Sequence, residues 1–206
     1  MSYQALDPNK TAVLFFDMLN RYHTNDEPLV LNCVKLRDAA DEHGIPVFFA
    51  AADHRPDGAD AATLYSDTNY ALEPWGDPEH DHVGRIRTMV SGSDEIQIID
   101  ALKAGPKDYI VKKHRWNAFH QTSLELSLRT RGIDTVVLCG GATRIGIAST
   151  AYGARDLDFN LVIVRDCCSD SRADTMDQFM ERVFPFMARV RTLEATIAMM
   201  QAGRAG

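Results

Sequence analysis

Short runs of mainly apolar residues alternate with amphipathic stretches along most of the chain, and this alternation restricts the fold more than any other feature. Five runs have the length of a strand: 11–16 (TAVLFF), 46–52 (PVFFAAA), 109–113 (YIVKK), 135–139 (TVVLC) and 160–165 (NLVIVR). A strand that is apolar on both faces must be covered on both sides, which is typical of parallel sheets. Helices in the intervening stretches supply that cover, because parallel strands need crossover connections.

The amphipathic stretches predict helices at 29–43, 95–104, 122–131, 145–157, 173–188 and from 194 onward. Thr122 and Glu125 have the spacing of a capping box, and residues 190–192 predict a sixth strand. The segment 53–94 is rich in proline and glycine, so we expect short helices and functional loops there. The sequence therefore predicts a single α/β domain over residues 1–206, a three-layer αβα (Rossmann-like) fold with a mainly parallel sheet of five or six strands.

Charge and composition narrow the classes of partner. The chain has 206 residues, 22 Lys and Arg against 29 Asp and Glu, and a net charge of −7. An acidic surface repels phosphate backbones, so no nucleic-acid partner is expected. No apolar stretch is long enough for a membrane span, and residues 1–11 do not resemble a secretory signal. The four cysteines form no CxxC motif, which favours buried thiols in the reducing cytoplasm. We expect a cytoplasmic protein with a small-molecule substrate.

Polar residues follow several of the predicted strands. In a parallel sheet these positions share one edge, where ligands bind. Asp17 follows the first strand, Lys112 and Lys113 end the third, and Gly140–Gly141 opens a turn into a helix after the fourth. An acid, a lysine and a helix N-terminus suit acid–base chemistry on a carbonyl or enol-type substrate. Each feature also has an ordinary role as a cap, a solvated strand end or a tight turn, so spacing alone leaves the function open.

Three segments together resemble the isochorismatase-like hydrolase superfamily, also called the cysteine hydrolases. They are AVLFFDMLNRY at 12–22, HGIPVFF at 43–49, and the block 111–159, which contains KKHRWNAF, TSLELSLRTRGI and GGATRIGI. The resemblance covers most of the chain, and it implies the α/β fold predicted above and a hydrolase activity.

The resemblance also implies a catalytic triad with one member missing. The family has an Asp after the first strand, a Lys after the third and a nucleophilic Cys after the fourth. These positions fall on Asp17, Lys113 (with Lys112 as the neighbouring alternative) and Gly146. The family's cis peptide falls on the bond Gly141–Ala142. Because glycine has no thiol, the covalent thioester route is closed at this position.

True isochorismatases, which release pyruvate from a vinyl ether, also have glycine at this position. The resemblance therefore implies that Asp17 donates a proton to the vinyl carbon. Phe15 and Phe16 would help to raise the pKa of Asp17 by desolvation, whereas a nearby Lys113 ammonium would lower it. The sequence leaves the net direction open. Two alternatives are an amidase-type hydrolase in which Asp17 activates water directly, and an inactive protein that binds a small anion.

Further residues are predicted to bind the substrate. They are Tyr22, Trp116, Phe119, Gly141, Ala142, Arg144 and Ile145. An aromatic residue is equally common as a core filler. An arginine in the turn suits a bidentate bond to a carboxylate, with an ion pair to an acid as the alternative. Cys139, Cys167, Cys168 and Ser149 are poor substitutes for the missing nucleophile.

The predicted loop after the second strand contains candidate metal ligands. Asp53, His54 and Asp57 are similar to the metal site of nicotinamidase members of the family, which uses an Asp and two His. The second His is missing from this motif, and His80 and His82 have no firm ligand geometry. We therefore predict no metal and no cofactor.

The resemblance also bears on assembly. Members of the superfamily commonly form homo-oligomers, so we expect a dimer or a larger assembly. Met187, Met199 and Met200 near the C-terminus are candidates for packing on a neighbouring copy.

Overall fold

A computed structural model describes residues 5–60, 63–65, 83–85 and 89–204. The strands within these ranges are β1 (Thr11–Phe16), β2 (Val47–Ala52), β3 (Thr63–Tyr65), β4 (Val83–Arg85), β5 (Tyr109–Lys113), β6 (Thr135–Gly141), β7 (Asn160–Ser169) and β8 (Arg189–Arg191). The α-helices are α1 (Pro28–Glu42), α2 (Leu124–Arg129), α3 (Ala148–Asp156), α4 (Ala173–Gln178) and α5 (Leu193–Arg204).

Six strands form one parallel sheet in the order β5-β2-β1-β6-β7-β8. This confirms the predicted α/β class with a parallel six-stranded sheet. All six residues of β1 and all six of β2 are buried, as expected for central strands covered by helices on both faces. Because β1 lies between β2 and β6, the segments that follow these three strands meet at the middle of the carboxyl edge.

The core consists mainly of large apolar side chains on the central strands. Phe15 on β1 stacks on Phe49 of β2 with ring centroids 5.4 Å apart. Each fully buried side chain of this size contributes roughly 1.5–3 kcal/mol through removal of apolar surface from water. No helix in the described ranges is long and apolar enough to span a membrane.

The segment after β4 differs from the prediction. The helix expected at 95–104 is wrong: two single 3₁₀ turns, Asp94–Ile96 and Asp100–Leu102, are separated by extended chain. The extended part pairs with the turn after β1, since the Asn20 amide donates to the Gln97 carbonyl at 3.0 Å. A continuous helix would use that carbonyl internally, so tertiary pairing overrides the local helical pattern. The antiparallel pair β3–β4 was also not foreseen.

The C-terminal third differs in detail. The helix predicted at 173–188, with an interruption at Pro185, consists of α4, a π-turn at Phe179–Val183 and a 3₁₀ turn at Phe184–Phe186, so the regular α-helix ends earlier than predicted. Pro185 lacks an amide hydrogen, so it ends regular helical bonding there. The strand β7 runs four residues beyond its predicted end and includes two cysteines.

The methionines near the C-terminus pack inside their own chain. Met199 and Met200 are 6% and 0% exposed, and both belong to the core. The amide of Leu6 donates to the Met199 carbonyl at 2.9 Å, which holds the N-terminal segment against α5. The suggestion that these two methionines pack on a neighbouring copy is therefore wrong.

Candidate active site

A buried ion pair joins the ends of two strands that are not adjacent. Asp17 directly follows β1, and Lys113 is the last residue of β5. Lys113 reaches across the end of β2 and its Nζ donates to Asp17 Oδ2 at 2.8 Å. The amide of Ala52, the last residue of β2, donates to Asp17 Oδ1 at 3.1 Å. Three strand ends therefore hold one carboxyl group.

Burial sets the direction of the Asp17 pKa. Asp17 and Lys113 are 7% and 4% exposed. Desolvation is the largest effect on Asp17 and raises its pKa above the ordinary value of 3.8, although Lys113, the Ala52 amide and the charge of His23 all lower it. The structure thus answers a question that the sequence left open. A carboxyl group with a raised pKa holds its proton more tightly, as a general acid must.

The neighbouring lysine has a different partner. Lys112 is exposed, and its Nζ lies 2.5 Å from Asp53 Oδ2. Successive side chains on a strand point to opposite faces, which sends the two lysines in opposite directions. Lys113, rather than Lys112, is therefore the lysine in contact with Asp17.

The ring of Phe16 fills the space beside the missing nucleophile. Lys113 Nζ lies 4.2 Å from the centroid of this ring. A Cβ atom added to Gly146 would lie 2.1 Å from Phe16 Cε1 and 2.5 Å from Cζ, far inside van der Waals contact. Phe16 is 1% exposed, so its ring is part of the packed core. A side chain at position 146, cysteine included, is therefore excluded unless the ring moves.

The turn after β6 has the predicted cis bond, between Gly141 and Ala142. The residue before it, Gly140, has a φ of +117°, and a Cβ there would lie 2.1 Å from the Phe16 carbonyl oxygen. Only glycine fits this combination of backbone angle and close approach.

The Asp170 carboxylate binds at the N-terminus of the helical segment that follows this turn. The Arg144 amide donates to Asp170 Oδ2 at 2.9 Å, and the Arg144 guanidinium pairs with Asp170 Oδ1. The Ile145 amide donates to the Ala142 carbonyl at 3.2 Å. The amides at a helix N-terminus lack partners within the helix, but here the amides of Arg144 and Ile145 both have internal acceptors. Arg144 thus forms the ion pair that was the alternative to a substrate contact.

The predicted aromatic residues occupy different surroundings. Tyr22 and Trp116 are 48% and 50% exposed. The Tyr22 hydroxyl contacts Met89 Sδ at 3.5 Å, and desolvation together with the Asp17 carboxylate raises the Tyr22 pKa to about 12. Phe119 stacks on Phe159 at 5.5 Å, so its ring contributes to core packing rather than to the surroundings of Asp17.

Sequence analysis missed two polar residues near the cis bond. A Cβ on Gly141 would lie 2.6 Å from Ser169 Oγ and 3.8 Å from His23 Nε2. His23 is 9% exposed, and its Nδ1 lies 3.1 Å from Glu27 Oε2. The spacing of His23 and Glu27, four residues apart just before a proline-started helix, was a usable signal. Ser169 had none, because β7 extends beyond its apolar run.

The four cysteines are buried and unsuited to nucleophilic attack. Burial is the main cause that raises the pKa of the Cys139 thiol to about 11, and the pKa values of Cys33, Cys167 and Cys168 are raised as well. A nucleophilic cysteine reacts as the thiolate. These residues therefore do not replace the missing thiol, in agreement with the sequence analysis.

One group of side chains could hold a metal ion. The Asp60 carboxylate oxygens lie 3.5 Å from His54 Nδ1 and 3.5 Å from His114 Nδ1, and one atom from each residue lies within 4.8 Å of the others. Asp53 and Asp57 are instead paired with Lys112 and Arg55. His80 and His82 lie outside the described residues. The expectation that no metal is bound stays a prediction.

Comparisons with known proteins point to the same family as the sequence motifs. The profile of the Isochorismatase domain family matches residues 11–195. YwoC of Bacillus subtilis, an isochorismatase family protein, is 32% identical over 92% of this chain and 93% of its own. YecD of Escherichia coli O157:H7 is 49% identical, but over 46% of this chain and 50% of its own. The ureidoacrylate amidohydrolase RutB of Rhizobium rhizogenes is 27% identical over 94% and 85%.

A similar fold is found in a solved structure. The structure of an isochorismatase family protein from Burkholderia thailandensis superimposes with a TM-score of 0.77 at 28% identity, covering 96% of this chain and 98% of that one.

Proposed function

Because the chain belongs to the isochorismatase family of hydrolases, we propose that it hydrolyses a small carboxylated substrate with Asp17 as the proton donor and without a cysteine nucleophile. The observation that carries this proposal is the packing of Phe16 against Gly146, which leaves no room for a nucleophilic side chain. We therefore take water, rather than a side chain at position 146, as the group that attacks.

Hydrolysis of a vinyl ether fits this site best. Protonation of the vinyl carbon by Asp17 creates an oxocarbenium ion, water adds to it, and the hemiketal collapses to pyruvate and an alcohol. Because its pKa is raised, Asp17 keeps its proton to a higher pH than an ordinary aspartate does, and the Lys113 ammonium provides a cation for the anionic substrate. No step needs a thiol.

An amidase reaction with directly activated water is the second candidate. It is favoured by the similarity to RutB, named as a ureidoacrylate amidohydrolase, along most of both chains. A cytoplasmic location and a homo-oligomer of two or more copies are also part of the proposal, supported by the buried thiols and by family membership.

The test is a substrate panel. Pyruvate release from isochorismate and related vinyl ethers is expected, and ammonia release from a set of amides and ureido acids would favour the second candidate. If both assays are silent while a small anion raises the melting temperature, and still does so in Asp17→Asn, the protein is a binding protein without turnover.

The activity is expected to depend on pH in a defined direction. Asp17 must be protonated to act as the acid, so kcat/KM falls as pH rises through its pKa, which burial places above 3.8. The folded chain also binds this proton more tightly than the unfolded chain, so the free energy of unfolding decreases as pH rises above 3.8. A pH–rate profile and urea unfolding at several pH values measure both. Activity that instead increases across this range would contradict the role of Asp17.

A further inference from the structure

We infer that His23, held by Glu27, is the base that takes a proton from the attacking water, an inference that rests on the function proposed above. The family resemblance assigns no role to either residue. The inference comes from three features of the structure: the path of the chain after β1, the orientation of the His23 ring and the position of its Nε2 edge.

The chain after β1 turns back toward the site. Asp17 has a φ of +48°, and the Leu19 amide donates to the Asp17 carbonyl at 2.9 Å. The His23 amide donates to the Leu19 carbonyl at 3.1 Å, which closes a second turn. These two turns bring the His23 side chain, 6% exposed, back to the edge of the sheet.

Glu27 fixes the orientation of the His23 ring. Glu27 Oε2 lies 3.1 Å from His23 Nδ1. Glu27 Oε1 accepts hydrogen bonds from the Thr24 amide at 2.8 Å and from the Thr24 hydroxyl at 3.2 Å. Glu27 also directly precedes the first turn of α1, so its carboxylate is held in place. An ionised carboxylate only accepts hydrogen bonds, and a neutral His23 therefore has its hydrogen on Nδ1 and its lone pair on Nε2.

The Nε2 edge of His23 faces the turn that contains the cis bond. It lies 3.8 Å from the position that a Cβ on Gly141 would take, and His23 is close enough to Asp17 for its charge to lower the Asp17 pKa. The charged and polar side chains near the ring include Glu27 and Tyr22 on its own segment, Asp17 at the end of β1 and Ser169 at the end of β7. A basic lone pair and an acidic proton thus face one small region.

The proposed reaction uses both groups. In the attack step a bond forms between the water oxygen and the electrophilic carbon, and one water proton passes to His23 Nε2. Asp17 has by then become a carboxylate and is the alternative proton acceptor, but its oxygens already accept hydrogen bonds from Lys113 Nζ and the Ala52 amide; the His23→Gln variant decides between the two acceptors. Transfer of the proton from His23 back to Asp17 through solvent restores the enzyme, so one water molecule is consumed for each substrate cleaved.

The kinetic test uses the full chain and the substrate identified by the panel. His23→Gln keeps a polar side chain without a base, and we expect kcat to fall by about 10²-fold, at the lower end of the contribution of a general base. The decrease of kcat/KM with rising pH that is expected from Asp17 should remain in this variant. Glu27→Gln should give a smaller loss. His43→Gln, at the opposite edge of the sheet, is the control and should keep wild-type kinetics.

A second measurement does not depend on turnover. Nitrogen-15 NMR of the histidine side chains reports the tautomer of His23 in the free protein. The inference requires hydrogen on Nδ1 in the wild type, with this preference weakened in Glu27→Gln. If neutral His23 has its hydrogen on Nε2, the inference is overturned whatever the activity.

The outcomes separate this inference from the function on which it rests. A wild type that turns over no panel substrate refutes the proposed function, and the tautomer still decides whether Nε2 is free to accept a proton. An active wild type whose His23→Gln variant keeps its rate refutes the inference alone. A covalent intermediate trapped on Ser169, absent in Ser169→Ala, would also overturn it, because the serine rather than water would then attack.

Discussion

Replacing Asp17 with asparagine is expected to lower kcat by about 10²–10⁴-fold, the usual contribution of a general acid. Asparagine has nearly the same shape and keeps an oxygen for the Ala52 amide, which donates to Asp17 Oδ1 at 3.1 Å. It has no proton to give to the substrate, so binding should persist while turnover is lost. Steady-state kinetics with the panel substrate, together with a ligand-induced shift in melting temperature, separate these two effects.

A matched control lies on the neighbouring strand. Asp53 also directly follows a buried strand, is 6% exposed and pairs with a lysine, Lys112. Asp53→Asn therefore removes a comparable buried carboxylate at the same edge of the sheet without touching Asp17, and it should keep most of the activity. If Asp17→Asn turns over substrate nearly as fast as Asp53→Asn, Asp17 is not the acid.

Restoring the family cysteine with Gly146→Cys is expected to destabilise the protein rather than to create an amidase. The new Cβ would lie 2.1 Å from Phe16 Cε1, and the ring is held between Gly146 and the Lys113 ammonium. Overpacking of a buried position typically costs about 1–3 kcal/mol, because side chains and backbone must shift. Urea unfolding of the variant measures the loss, and Gly105→Ala, whose Cβ would lie 3.8 Å from its nearest neighbour, is the control.

A double-mutant cycle tests the cause of that loss. Phe16→Val removes the ring atoms that meet the new side chain, although it costs stability of its own by leaving a cavity. If the ring is the obstacle, the combined variant loses less free energy of unfolding than the two single variants added together. Additive losses, or a Gly146→Cys variant as stable as the wild type, would show that Phe16 does not exclude a side chain at position 146.

The elements that organise the site were largely predictable from local pattern. The runs at 11–16 and 109–113 became β1 and β5 with unchanged boundaries. The central strand β1 is buried on both faces and needs a continuous apolar sequence, whereas the edge strand β5 buries only Val111 and Lys113 fully. Asp17 and Lys113 follow from the positions where these runs end. The helix predicted at 95–104 does not form, because carbonyl groups in this segment accept hydrogen bonds from the turn after β1, about 75 residues earlier in the chain.

Residue type and strand order thus determined which groups stand at the edge of the sheet, and the motif with Gly146 determined that no thiol stands among them. Tertiary structure alone decided what those groups can do. The direction of the Asp17 pKa depends on how completely the fold removes water around it. Three further contacts join segments that are far apart in the chain: the ion pair of Arg144 with Asp170, the packing of Phe16 against Gly146, and the approach of His23 to Gly141. Such contacts arise from packing, which no local pattern of residues encodes.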